Sequence, residues 1–174
     1  CSSDLLGLQF GNWVLEQALH QLHQLDVAGM TGLQMAINLT GQQLLDPELK
    51  NTLERLTLTY HIIPSRISLE LNEQALRFDY QRAQKAMETL HRAGYRLTLD
   101  DFGTGYSSLS YLTQFHLNTL KIDRSFVMAL ESSARHQSLV STIIAMGHNL
   151  DLELVAEGVE TEQQISMLQK MGCH

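Results

Sequence analysis

Residues 97–108 read Leu-Thr-Leu-Asp-Asp-Phe-Gly-Thr-Gly-Tyr-Ser-Ser. An apolar strand runs straight into two adjacent carboxylates, Asp100 and Asp101, and then into a loop of glycines and hydroxyls. Neighbouring carboxylates at a strand end are costly to bury unless positive charge sits between them. A divalent metal ion is the simplest source of that charge. A plainer reading competes, in which solvated acids close a strand before an ordinary turn. The remaining strand ends decide between the two.

Outward from this stretch, helical and strand patterns alternate. Val14, Leu15, Ala18, Leu19, Leu22 and Leu25 form one helical stripe over residues 11–25. His20 and His23 lie three apart on that helix and read as its polar flank rather than a metal pair. Residues 34–39 read as a short buried strand. Asp46-Pro47 reads as an N-cap with proline at the first helical position, opening a helix with Leu49, Leu53 and Leu56. A strand is expected from Ile67 to Leu71, a helix over 79–93 stopped by Gly94, and a strand from Leu97 to Asp101. A short helix follows from Ser107 to Phe115, a strand from Thr119 to Ile122, a helix over 134–149 and a strand from Leu152 to Ala156. Thr161 with Gln164 forms a capping box for a last helix to Met171. One strand and one helix thus recur every roughly 20 to 33 residues, the rhythm of repeated βα units. A closed barrel and an open doubly wound sheet both satisfy it.

Each expected strand ends in polar residues that packing does not require: Asn38, Glu70, Asp100 with Asp101, Lys121 with Asp123, and Glu157 with Glu160. Parallel strands bring their C-terminal ends to one edge, where α/β folds build their sites. Singly, Asn38 could satisfy backbone groups and Lys121 could balance a carboxylate; five strand ends doing so together point to a site. The donors are carboxylate and amide oxygens, which favour magnesium, manganese or calcium over zinc. So many acids suggest two ions, which sit about 3.5–4 Å apart when they clamp phosphoryl oxygens during in-line displacement. Lys121 would then hold the attacking water or stabilise developing charge.

The 174 residues carry a net charge of −7, which argues against a general binder of DNA or RNA, since no basic stripe is present. Cys1 and Cys173 fit no metal-ligand spacing, so a reducing, cytoplasmic compartment is expected. No apolar run of about 18 residues suggests a membrane span, although a parent protein could be anchored elsewhere.

At Asp-Asp-Phe-Gly-Thr-Gly-Tyr-Ser-Ser-Leu (100–109), Leu-Lys-Ile-Asp-Arg-Ser-Phe-Val (120–127) and Val-Ala-Glu-Gly-Val-Glu-Thr (155–161), the chain resembles the EAL-domain family of bacterial cyclic di-GMP phosphodiesterases. The resemblance implies an α/β fold, a TIM-like (β/α) barrel of the EAL type. Residues 1–174 are expected to form a single, partial domain. Its naming Glu-Ala-Leu-x-Arg strand would lie upstream and a Gln-Gly-Tyr strand downstream, leaving unpaired sheet edges.

By position, Asn38, Glu70, Asp100, Asp101 and Glu157 resemble the metal ligands for Mg2+ or Mn2+, with two ions expected. Lys121, Glu157 and Asp101 are the catalytic candidates, and Lys121 resembles the lysine that contacts the nucleophilic water. Glu160 resembles a residue that contacts a guanine, and Asp123 is a further substrate-binding candidate. Glu73 resembles the glutamate that steadies the loop at 102–108, a lid tied in the family to homodimerisation. Sensor or GGDEF domains are expected partners in a parent chain. Thr40 stands where the family has Ser, and Leu71-Asn72-Glu73-Gln74 replaces Ile-Thr-Glu-Ser. The resemblance implies hydrolysis of cyclic di-GMP to linear pGpG. The alternatives are an inactive cyclic di-GMP receptor or scaffold, and a barrel hydrolase of another phosphodiester.

Overall fold

The computed structural model describes residues 2–76, 79–103 and 112–173, with side chains described from Leu6 onward. The chain divides into two compact units, Cys1–Leu97 and Thr98–His174. The loop at 104–108 and most of the helix expected over 107–115 lie outside the described residues.

The first unit opens with α1 (Ser2–Val27), followed by β1 (Met35–Leu39), α2 (Gly41–Leu44), α3 (Leu49–Thr59), β2 (Ile67–Asn72) and α4 (Tyr80–Arg92). Of the apolar stripe expected on α1, Leu15, Leu19 and Leu22 are fully buried, one helical turn apart, where α1 packs on β1 and α3. Arg66 ties the end of α1 to the turn before β2: its guanidinium donates to both carboxylate oxygens of Asp26 at 2.6 and 2.8 Å and to the Leu33 carbonyl at 2.7 Å. The rings of His20 and His23 lie against Tyr60, and His20 Nε2 is 3.0 Å from the Gln24 amide, so neither is aimed at a metal.

β1 and β2 pair in parallel without a break, from Met35 opposite Ile67 to Leu39 opposite Leu71. Ile67, Leu69 and Leu71 are fully buried and Ser68 nearly so, the near-continuous burial of a parallel strand covered on both faces.

Two starts differ from the sequence reading. α3 begins at Leu49, not at Pro47, with Glu48 in the capping position and no side-chain cap. The Asp46 carboxylate accepts the Glu48 N–H at 3.0 Å and closes a turn around Pro47, so the strong capping residue is used before the helix begins. α2 was not anticipated: Thr40 and Gln43 make a complete capping box around four residues, too short a segment to show apolar periodicity.

β3 (Arg96–Phe102) starts at the end of the first unit and runs into the second. There β3 pairs in parallel with β4 (Thr119–Ile122), and β4 with β5 (Glu153–Ala156). α5 (Arg124–Met128), α6 (Ala134–Asn149) and α7 (Glu162–Met171) complete the unit. α6 lies on β4 and β5 through fully buried Val140 and Ile144. The predicted capping box of α7 is present, with Thr161 accepting from the Gln164 N–H. Both units are thus α/β with parallel strands. Among the described residues, no helix is long and apolar enough to cross a membrane.

Candidate metal centre

In a regular strand, successive side chains point to opposite faces, so adjacent aspartates would normally be separated by the sheet. β3 breaks that rule at the point where it matters. Leu99 faces Leu120, but Phe102 faces Ile122, so β3 carries one residue more than β4 over this interval. The extra residue is a bulge at Asp100–Asp101, and Asp101 takes a left-handed conformation with φ +54°. Asp is among the few residues that adopt this region at modest cost, because its short side chain can bond locally. Here the preceding residue supplies the local bond, the Asp101 N–H donating to the Asp100 side chain at Oδ1, 2.9 Å away. The bulge re-aims the side chains, and both carboxylates reach one site.

Glu157 joins them from the end of β5. Its N–H donates to the Ile122 carbonyl at 3.1 Å, which extends the ladder by one bond and fixes its origin. Oxygens of Asp100, Asp101 and Glu157 all lie within 4.8 Å of one another. Adjacent ligands of an octahedral magnesium at about 2.1 Å stand about 3.0 Å apart and opposite ones about 4.2 Å, so an ion would draw these oxygens together by no more than about 2 Å. The donors are oxygens only, which suits a hard divalent cation. The group therefore fits a metal.

Lys121 on β4 is the positive charge within the cluster, with its Nζ 3.2 Å from Asp100 Oδ2 and 2.5 Å from Glu157 Oε1. One ammonium against three carboxylates leaves the site short of positive charge. Asp101 registers the shortfall: partial burial, then repulsion from Asp100, Asp123 and Glu157, push its carboxyl above the usual range, against the pull of Lys121.

Asn38 and Glu70 stand on the regular ladder of the first unit as direct register partners on neighbouring strands, which places them at one level of that sheet. Glu73 opens the 3-10 turn Glu73–Leu76, where the Asn72 side chain accepts the Ala75 N–H at 2.8 Å. Asn72, unusual against the family pattern, thus serves as a turn cap, and Thr40 likewise caps α2. Two cavities of about 380 and 440 Å3 in this unit are lined mainly by α3 and α4 with their adjoining turns and contain none of the strand-end residues.

The two substrate candidates have local partners. Asp123 is the N-cap of α5, where its Oδ1 accepts the Ser125 N–H at 2.9 Å and also meets the Ser125 hydroxyl. The hydroxyl bond is the main reason that its carboxyl lies below the usual range. Glu160 pairs with Arg124, Oε1 to Nη2 at 2.8 Å, with both side chains well exposed. Gly158 makes room for this pair: at φ +67° it tolerates the backbone turn, and a Cβ there would stand 2.3 Å from Arg124 Cγ. Reading the sequence missed Arg124, although its place next to a strand-end acid was a usable signal.

The EAL domain family model matches residues 2–174. The cyclic di-GMP phosphodiesterase NbdA of Pseudomonas aeruginosa is 39% identical over 169 residues, 95% of this chain and 21% of that protein. The cyclic di-GMP phosphodiesterase PdeR of Escherichia coli is 33% identical over 162 residues, 93% of this chain and 24% of that protein. This chain therefore spans about a fifth to a quarter of those relatives' length. Among solved structures, the PaMucR phosphodiesterase in its c-di-GMP complex is similar with a TM-score of 0.91 at 36% identity, covering 99% of this chain and 70% of that one. The EAL domain of Mycobacterium smegmatis DcpA is similar with a TM-score of 0.88 at 34% identity, covering 94% and 74%. By sequence and by fold, the chain belongs to the EAL domain family.

Proposed function

We propose that this chain is the catalytic part of a metal-dependent phosphodiesterase that opens cyclic di-GMP to linear pGpG. The observation that carries the reading is the bulge of β3, which delivers Asp100 and Asp101 to Glu157 and Lys121. A binding module has no need of such a distortion. Asp100, Asp101 and Glu157, with Asn38 and Glu70 as further ligands, would hold Mg2+ or Mn2+, in the family's manner two ions. The metal, when bound, neutralises phosphoryl oxygens and lowers the pKa of water.

The chain's own groups do the rest. The Lys121 ammonium, steered by Asp100 and Glu157, orients a water in line with the phosphorus and offsets the charge that develops on its oxygens. Asp101, together with Asp100 and Glu157, would hold the ion that activates that water. The water oxygen bonds to phosphorus as the P–O3′ bond breaks, O3′ takes up the proton that the water releases, and the linear dinucleotide leaves. Glu160 would contact a guanine base, Asp123 would take part in substrate binding, and Glu73 would steady the loop at 102–108.

The same proposal includes one EAL-type domain over both units, a homodimer through the region of that loop, and further signalling domains in a parent chain. The relative named bifunctional diguanylate cyclase/cyclic di-GMP phosphodiesterase MucR supports the last. A reducing, cytoplasmic setting suits Cys173, a free buried thiol.

The test is incubation of this chain with cyclic di-GMP and Mn2+ or Mg2+, with a chelator control, and separation of products by chromatography. Chelator-sensitive appearance of pGpG supports the reading. With the assay run also on a form extended through the Glu-Ala-Leu-x-Arg and Gln-Gly-Tyr strands, binding without turnover in both would replace it with the receptor reading, and neither binding nor turnover in either would overturn both.

A further inference from the structure

Two residues after Asp101 the chain turns again, through Gly103 at φ +97°. The space that a side chain would occupy there is already filled: a Cβ on Gly103 would stand 2.6 Å from Phe126 Cε2 and 2.9 Å from Cζ. The ring of Phe126 thus lies on the backbone just beyond the bulge. Its own position is fixed from three sides. Asp123 caps the start of α5 through Ser125, Val127 next to it is fully buried, and the His136 ring on α6 backs it at a centroid distance of 6.5 Å.

Between Leu99 and Gly103 the bulge has one anchor before it, the Leu99–Leu120 pairing, and one within its far end, the Phe102–Ile122 pairing. A left-handed aspartate between two such anchors stays in place only if its surroundings over-determine it. Phe126 supplies the missing restraint on the exit side. We propose that Phe126 is a positioning residue for the carboxylate bulge: its ring, seated on Gly103, holds Asp101 in the orientation that shares an ion with Asp100 and Glu157. The inference rests on the metal reading of those three residues and goes beyond it by assigning the support to a residue that touches neither metal nor substrate.

The experiment is calorimetric titration of this chain with Mn2+, paired with thermal unfolding of the same metal-free samples. Groups that orient ligands from behind carry about 10- to 100-fold in metal affinity. Phe126→Leu, which retains most of the apolar volume, is expected to weaken Mn2+ binding by about tenfold. Val127→Ala, a cavity at the fully buried neighbour on the same helix, is expected to lower the melting temperature with Mn2+ affinity within twofold of wild type. Gly103→Ala approaches the contact from the other side and should weaken binding as well. Its loss should be smaller in the Phe126→Ala background, where the added methyl has room.

Wild-type affinity in Phe126→Leu and Phe126→Ala overturns the assignment and leaves the metal centre standing. Equal losses in Phe126→Leu and Val127→Ala overturn it too, because they reduce Phe126 to general packing. Absence of Mn2+ binding by the wild type removes the metal reading itself, and the inference with it.

Discussion

The ends of β1 and β2 and the end of β3 each carry candidate site residues, and they present them by opposite means. Asn38 and Glu70 occupy consecutive strands of an unbroken parallel ladder, one polar side chain per strand, between buried residues such as Ile37, Leu39, Leu69 and Leu71. Nothing in the backbone is strained to present them. Asp100 and Asp101 lie on one strand, and their convergence needs a skipped register, a left-handed aspartate and a glycine with an aromatic ring on its back. A regular strand can offer one ligand per level to a given face, so a second adjacent ligand must be created by breaking the strand. The first region therefore tolerates substitution as structure, whereas in the second, function and strain are the same feature.

Asp100→Asn and Asp101→Asn are expected to have the largest effect. Each should cost more than the roughly hundredfold in Mn2+ affinity that supporting groups alone carry, and should abolish turnover. Retention of affinity within a few-fold by either variant would break the comparison. Glu70→Gln should also abolish turnover while shifting stability by no more than about 0.5 kcal/mol, because it leaves an unstrained ladder intact. A large drop in its melting temperature would show that the first region is also strained.

Lys121→Ala is expected to lower kcat by roughly 10²- to 10³-fold, as for loss of one preorganised charge-stabilising donor. Its Mn2+ affinity should hold or rise, because the ammonium competes with the metal for Asp100 and Glu157. Asp101→Gly should stabilise the metal-free fold by less than about 1 kcal/mol, since glycine adopts the left-handed conformation freely but loses more backbone entropy on folding. Denaturant unfolding of the chelated protein measures this, and an unchanged midpoint would mean that the bulge stores no strain.

The smallest effect belongs to Asp26 in the first unit, whose carboxyl the Arg66 hydrogen bonds hold below the usual range. There the unfolded chain takes up the proton at higher pH than the folded chain. Stability from the pair is complete above about pH 4 and drains away as pH falls through the folded value. Asp26→Asn should flatten that acid limb of the melting curve and leave neutral-pH activity unchanged.

Much of this was legible in the residues. Parallel strands, helix bounds at 134–149 and 162–171 and the meeting of the β3, β4 and β5 ends follow from apolar periodicity, capping residues and topology. The run Asp100-Asp101 pointed to a carboxylate cluster that fits a metal, but how it forms was not readable, because a bulge depends on how β3 pairs with β4 and not on β3 alone. The same limit hid the Gly103–Phe126 contact, which joins residues 23 apart through their tertiary positions. Asp46 misled for a local reason: the carboxylate that can cap a helix can equally close the turn before it.

The central claim is that a broken strand brings Asp100, Asp101 and Glu157 around one divalent ion. Crystals of this chain grown with Mn2+ and measured at the manganese absorption edge test it most directly. The account predicts an anomalous peak within coordinating distance of all three carboxylates, with Asp101 still left-handed. A peak elsewhere, or none at the bulge with the ion in excess, would contradict it.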